Sequence, residues 1–208
     1  NVGKSTLMNG LVGERLSIIT SKKQTTRHRI MGIVNGDDFQ IVYSDTPGVV
    51  NAGYKLHERM MKYVNTAISD ADVFLFVTDP FEDEMNHENT LSKIQKSEAP
   101  VLVLINKIDL IDQERLIERV DYWSKKIPRA EILPISALHK MNLEYIINKV
   151  KEYLPQSPPY FPKDELTDKP MRFFISEIIR EKIFETYDQE LPYSCEVEVV
   201  AYKEEESI

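Results

Sequence analysis

The sequence predicts an α/β fold of three layers built on a mostly parallel sheet. Apolar runs of four or five residues alternate with longer stretches whose apolar residues recur at helical spacing, as in a sheet covered on both faces. Polar residues suited to ligand chemistry follow directly on several of those runs, where open α/β sheets bind their ligands.

Taken in order, Thr6 to Leu11 reads as a short helix with Leu7, Met8 and Leu11 inward. Residues 14 to 29 are polar, lack periodicity and read as a mobile loop. Ile30 to Val34 and Phe39 to Tyr43 flank Asn35-Gly36-Asp37-Asp38, so a hairpin is expected whose Asn-Gly step accepts positive φ. Leu56, Met60, Val64, Ala67 and Ala71 mark a helix over 55 to 71. Buried strands are expected at 73 to 77, 101 to 105 and 132 to 135, with helices near 84 to 97, 112 to 126 and 142 to 154. Five prolines between 155 and 170 interrupt both kinds of element and read as a semi-rigid linker. Ile175, Ile178, Ile179, Ile183 and Tyr187 then give a helix, and residues 196 to 202 alternate like a strand. One helix and one strand cannot close a core, so a second domain is expected to be incomplete at its far end.

Hydrophobic residues at 42% and charged residues at 29% are those of an ordinary globular protein. No run approaches the roughly 18 apolar residues of a membrane span. The single Cys195 excludes an intramolecular disulfide framework and fits a reducing cytosol. Of the net charge of −8, all lies in residues 164 to 208, which hold 13 acidic and 5 basic side chains. That segment carries no electrostatic footprint for nucleic acid.

Asn1-Val2-Gly3-Lys4-Ser5-Thr6 has the ending of a phosphate-binding loop, whose backbone N–H groups face phosphates at a helix start. Lys4 would reach the β/γ-phosphates and Ser5 would hold Mg²⁺. The leading glycine of the full pattern would precede residue 1, so the chain is expected to be cut inside its motif and to lack the strand before it. Asp45, in Asp45-Thr46-Pro47-Gly48, is placed to hold Mg²⁺ through water, and Gly48 can bring its N–H near a γ-phosphate because it has no Cβ. In Asn106-Lys107-Ile108-Asp109, one carboxylate can accept from both N1–H and the exocyclic amine of guanine, which suits Asp109. Adenine would leave that carboxylate unpaired, which costs a site on the order of 10⁴ in preference. Asn106 would tie this loop to the phosphate loop, and the Lys107 stem would cover the base plane. Ser136-Ala137-Leu138 would offer backbone N–H groups to the guanine O6. Singly, these segments also serve as a surface turn, a capped helix start and a plain loop. Their order, with three of them at strand ends, argues for one GTP site.

That order resembles the translation-factor-like branch of the P-loop GTPases. Gln24-Thr25-Thr26-Arg27-His28-Arg29, together with Val49 after the Asp-Thr-Pro-Gly turn and the linker into a small domain, resembles the bacterial Era family. The resemblance implies a GTPase domain over 1–154 without its first strand, a linker over 155–170, and the start of an α+β type II KH domain over 171–208. It implies GTP and GDP as ligands, Mg²⁺ as cofactor, and a threonine of the loop closing on the metal and the γ-phosphate. Thr26 is the preferred match and Thr25 the alternative. Val49 stands where many GTPases carry a water-orienting glutamine, and some relatives without it use K⁺ held partly by the asparagine equivalent to Asn1. Thr26, Gly48 and Asn1 are thus the catalytic candidates. His28 is a weaker one, and Lys22, Lys23, Arg27 and Arg29 form a basic cluster that is either solvated or near phosphate or RNA. The resemblance further implies 16S ribosomal RNA and the 30S subunit as partners, with a role in subunit assembly. It places the protein in the cytoplasm, with peripheral association at the inner membrane face. No GXXG loop, with which KH modules clamp RNA, occurs in residues 171 to 208. Two alternatives remain: a nucleotide-gated RNA- or ribosome-binding module with incidental hydrolysis, and a related GTPase of another RNA-modification or ribosome-maturation step. Asn106 and Asp109 oppose a kinase or ATPase.

Overall fold

A computed structural model describes residues 2–20, 22, 25–48, 55–81, 88–188 and 194–203. Asn1, Lys23, Gln24 and Val49 lie outside the described residues.

Helix α1 (Lys4–Val12) starts at Gly3, whose φ of 93° is left-handed, and ends at Gly13, whose φ is 85°. The Gly13 N–H closes the helix on the Asn9 carbonyl at 2.9 Å. Strands β1 (Ile30–Asn35) and β2 (Gln40–Asp45) form the expected antiparallel hairpin, Ile30 opposite Asp45 and Asn35 opposite Gln40. Contrary to expectation, the Asn35-Gly36 step does not use positive φ, since among the described glycines only Gly3 and Gly13 have it. Gly36 is needed for space instead, because a Cβ there would stand 2.1 Å from the Phe39 ring.

Helix α2 (Lys55–Asp70) leads to β3 (Phe74–Thr78), α3 (Glu88–Lys96), β4 (Val101–Ile105), α4 (Gln113–Lys126), β5 (Glu131–Pro134) and α5 (Leu143–Tyr153). The strands pair in parallel in the order β3, β4, β5. Every residue of β4 is buried, and its side chains sort by parity. Leu102 and Leu104 join a cluster with Leu7, Leu11, Ile41 and Ile146 of α1, β2 and α5. Val101, Val103 and Ile105 join Leu91, Ile94 and Trp123 of α3 and α4. A two-residue side-chain period inside a covered sheet produces this sorting, and each such aliphatic side chain contributes about 1.5–3 kcal/mol by leaving water.

The sheet is divided, however. β1–β2 and β3–β4–β5 are separate hydrogen-bonded ladders among the described residues. A cleft of about 2050 Å³, walled by Ile41 and Tyr43 on one side and Phe74 and Phe76 on the other, runs between them to the phosphate loop.

The proline-rich segment is bonded to the hairpin: the Ile33 N–H donates to the Leu166 carbonyl (2.9 Å) and Gln40 exchanges bonds with the backbone of Tyr160 and Phe161. Gly32 bridges Thr167, so the linker lies along the open edge of β1. Helix α6 (Met171–Thr186) forms as expected and sets Phe173 and Phe174 against the first core cluster. Residues 195 to 203 carry no strand, and Val200 is 90% exposed. An alternating segment becomes a strand only beside a neighbour with free backbone groups, and the described residues give it none.

Candidate functional site

The carboxyl ends of β2, β3, β4 and β5 come out on one edge, bringing Asp45, Asp79, Asn106–Lys107 and Ser136 around the start of α1. The Asn106 side chain fastens this arrangement. Its Nδ2 donates to the Val2 carbonyl (2.8 Å), and its Oδ1 accepts the Ala137 N–H (2.9 Å). Gly3 is dictated by the same contact, because a Cβ on it would stand 2.4 Å from Asn106 Nδ2. The phosphate loop, the base-reading loop and the Ser-Ala turn are therefore three parts of one buried joint.

On the phosphate side, Ser5 Oγ donates to Asp45 Oδ2 (2.8 Å) and lies 2.9 Å from Thr26 Oγ1. The Thr25 hydroxyl turns away, bonding Thr20 Oγ1 (2.7 Å) and the Lys22 carbonyl (2.9 Å). The threonine ambiguity of the sequence thus meets a clear geometric difference. Burial pushes the Asp45 carboxyl above the usual carboxylate range, while the Lys4 ammonium and the Ser5 hydroxyl pull it down. Gly48 is close to Lys4: a Cβ there would be 3.8 Å from Lys4 Nζ, an ordinary contact. Thr6 lies on the first turn of α1 and lines the same cleft.

Three hard oxygens, one of them a buried carboxylate, meet at hydrogen-bond distance beside a phosphate-binding helix start. This donor set fits Mg²⁺, which takes one or two protein oxygens together with substrate phosphate and water. The described residues include no group of three His, Cys, Asp or Glu able to hold a metal by themselves. Asn1, the K⁺ candidate, lies outside the described residues.

On the base side, Lys107 takes a left-handed backbone (φ 64°) and leads into a short 3₁₀ turn, Ile108–Leu110. That conformation is costly for a residue with a side chain. The Asp109 carboxyl is held below the ordinary range chiefly by the Ser136 hydroxyl, with His139 Nε2 3.7 Å away. Ser136 and Ala137 are buried, whereas Leu138 is 73% exposed. Of the backbone N–H groups expected to face O6, that of Ala137 is engaged by Asn106.

The loop between α1 and β1 is held by residues that sequence reasoning passed over. Asn9 accepts the N–H groups of Leu16 (3.0 Å) and Ser17 (2.9 Å) and donates to the Ser17 carbonyl (2.7 Å). Glu181 of α6 takes Arg15 Nη2 on both oxygens (2.6 and 2.7 Å) and the Ile19 N–H (3.1 Å). The described basic residues of this loop are engaged within the protein. Lys22 bonds Asp188 and the Tyr187 carbonyl, Arg27 the Cys195 carbonyl (2.7 Å), and Arg29 Ser44 and Asp70. His28 packs on Phe173 edge to face, with ring centroids 5.7 Å apart, and does not line the cleft. Nothing in the sequence sets Glu181 apart from the other acidic residues of α6, and its burial to 2% exposure marks it.

The fold and the site together define a phosphate-loop nucleotide-binding protein of the GTPase class. The family described as "50S ribosome-binding GTPase" matches residues 1–107. GTPase Era of Geotalea daltonii is 43% identical over 205 residues, spanning 98% of this chain and 69% of the relative. The chloroplastic GTPase ERA1 of Zea mays is 44% identical over 209 residues, spanning 98% and 50%. A crystal structure of Era with MgGDPNP and nucleotides 1506–1542 of 16S ribosomal RNA is similar at a TM-score of 0.87 and 39% identity, covering 93% of this chain and 67% of that one. Aquifex aeolicus Era bound to GDP.AlF4⁻ matches with the same TM-score, 0.87, and the same identity, 39%. The chain belongs to the Era GTPase family.

Proposed function

We propose that this protein is a GTP-hydrolysing switch that binds 16S ribosomal RNA and assists assembly of the 30S subunit. The observation that carries the nucleotide reading is Asn106, whose one side chain joins the loop that would cradle phosphates to the loop that would read guanine. The RNA reading is supported by the solved relative with 16S nucleotides. Residues 1–154 form the nucleotide domain in this reading, 155–170 the linker and 171–208 the start of a KH domain.

Val2, Gly3, Lys4, Ser5 and Thr6 bind the phosphates, with Ser5, Thr26 and Asp45 holding Mg²⁺. When bound, the metal supplies charge neutralisation at the phosphate oxygens. Thr26, Gly48 and Asn1 serve the terminal phosphate. Lys107 and Asp109 recognise the base, while the backbone of Ser136 to Leu138 borders O6. Since Glu181 grips the loop that carries Thr26, closing or releasing that loop pulls on α6, which is how nucleotide state would reach the second domain. A cytoplasmic location fits this role, and no described helix is long and apolar enough to cross a membrane.

Asp109→Asn is the test of the base reading: preference should shift from GTP to xanthosine triphosphate, and continued tight GTP binding would refute it. Single-turnover hydrolysis with and without 30S subunits tests the switch, an unchanged rate favouring a nucleotide-gated binding module instead. Faster turnover in potassium than in sodium buffer is expected if Asn1 helps hold K⁺, and equal rates would remove it from the catalytic set.

A further inference from the structure

We propose that Asp79 is a positioning residue of the nucleotide site: its buried carboxylate pins the Lys107 ammonium, setting the Lys107 stem as the platform on which the guanine base lies. This rests on the guanine-nucleotide reading above. Asp79 directly follows β3, its side chain only 6% exposed, and its Oδ2 accepts from Lys107 Nζ at 2.6 Å. The other oxygen accepts the Phe81 N–H at 2.9 Å, so backbone fixes the plane of the carboxylate before any ligand arrives. One residue earlier, the Thr78 carbonyl accepts the Asn106 N–H at 2.8 Å. The base-reading loop is thus attached to the end of β3 at two points, one through backbone and one through the Lys107 side chain. Both Asp79 and Lys107 line the cleft.

The chemistry follows from what a lysine stem does when its end is free. Four methylenes with a hydrated ammonium sample many rotamers, and a base stacking on them must immobilise the chain. With Nζ held by a fixed carboxylate and the backbone held at φ 64°, the stem is spanned between two anchors and the ordering is done before binding. Preorganisation of this kind raises affinity without adding a contact to the ligand. The pair sits at the base end of the site and not beside Ser5, Thr26 and Asp45. Its effect should therefore be equal for GDP and GTP.

The test is a double-mutant cycle on the complete protein, read by binding of a fluorescent GDP and, by competition, of GTP. Asp79→Ala should weaken both nucleotides by about tenfold, a coupling typical of contacting charged groups, yet change affinity less than twofold when Lys107→Ala is already present. Steady-state hydrolysis at saturating GTP should stay within about twofold, so that the loss falls in KM and not in kcat. Asp79→Asn keeps an acceptor for Lys107 and Phe81 without the charge and should lose less than Asp79→Ala. Should Asp79→Ala not fold, the Asp79→Asn and Lys107→Ala cycle is read the same way. Additive effects of Asp79 and Lys107, or a loss confined to GTP, would overturn the proposal while the guanine reading stands. Failure of the unaltered protein to bind either nucleotide would overturn both.

Discussion

The two ends of the site are held by different means. At the base end, Asn106 and Lys107 are fastened to their neighbours: Asn106 to Val2, Ala137 and Thr78, and Lys107 to Asp79. At the metal end, Ser5 and Asp45 stand on α1 and β2, but Thr26 rides on a loop secured by Asn9 and, from across the linker, by Glu181. The base reader is held by the strand ends beside it, whereas the metal end borrows support from α6. A guanine site can be rigid because the base does not change during turnover. A loop that senses a terminal phosphate must have two positions close in free energy, and an external handle is a way to bias them.

The largest effect that would break the comparison is expected from Asn106→Ala. It leaves the buried Val2 carbonyl and Ala137 N–H without their partner, a loss of roughly 2–4 kcal/mol at about 1–2 for each orphaned group. Thermal unfolding and GDP titration should fall together. If binding falls while the melting temperature is unchanged, the joint is not structural. Glu181→Ala should cost less, about 1–2 kcal/mol, because Arg15 is 65% exposed and solvent can take it back. Its signature is local: amide hydrogen exchange should quicken at Leu16 to Ile19 while β4 keeps its protection. Equal acceleration in both places would mean that the metal end has no separate support.

A finer contrast comes from Ser136→Ala. The Ser136 hydroxyl holds the Asp109 carboxyl below its ordinary range, and guanine needs that carboxylate ionised. A depressed folded value means that the ionised state is present above the ordinary value and is lost only as pH falls through the lower one. Guanine binding should therefore survive mild acidification in the unaltered protein and fail at a higher pH in Ser136→Ala, as fluorescent GDP titrations across pH would record. The smallest effect is expected from Asp112→Ala, which removes the side-chain cap accepting the Arg115 N–H at 2.8 Å at the start of α4. About 1 kcal/mol of stability should go, seen in a melting curve, with the Asp109 loop still binding.

Local rules accounted for most elements. β4 was legible as five apolar residues in a row, and α4 and α5 as apolar stripes at helical spacing. Ser5, Asp45, Asn106 and Asp109 stood out as candidates because phosphate, magnesium and guanine each demand particular atoms at strand ends, and the fold gathers Ser5, Asp45 and Asn106 around the start of α1. Glu181 and Asp79 did not stand out. Each is an acidic residue among many, and its role comes from a partner far away in the chain, Arg15 for one and Lys107 for the other. The same holds for residues 196 to 202, whose alternation suggested a strand that would need a neighbour to exist.

What the sequence by itself determined is the class of fold and which residues are candidates for the site, since both follow from residue type and short-range period. Only the tertiary structure decided that Thr26 and not Thr25 faces Ser5, that the proline-rich segment lies along β1, and that α6 grips the loop beneath it. Those outcomes depend on which buried donors and acceptors meet across distant parts of the chain, and desolvation makes such meetings decisive without leaving a periodic trace in the sequence.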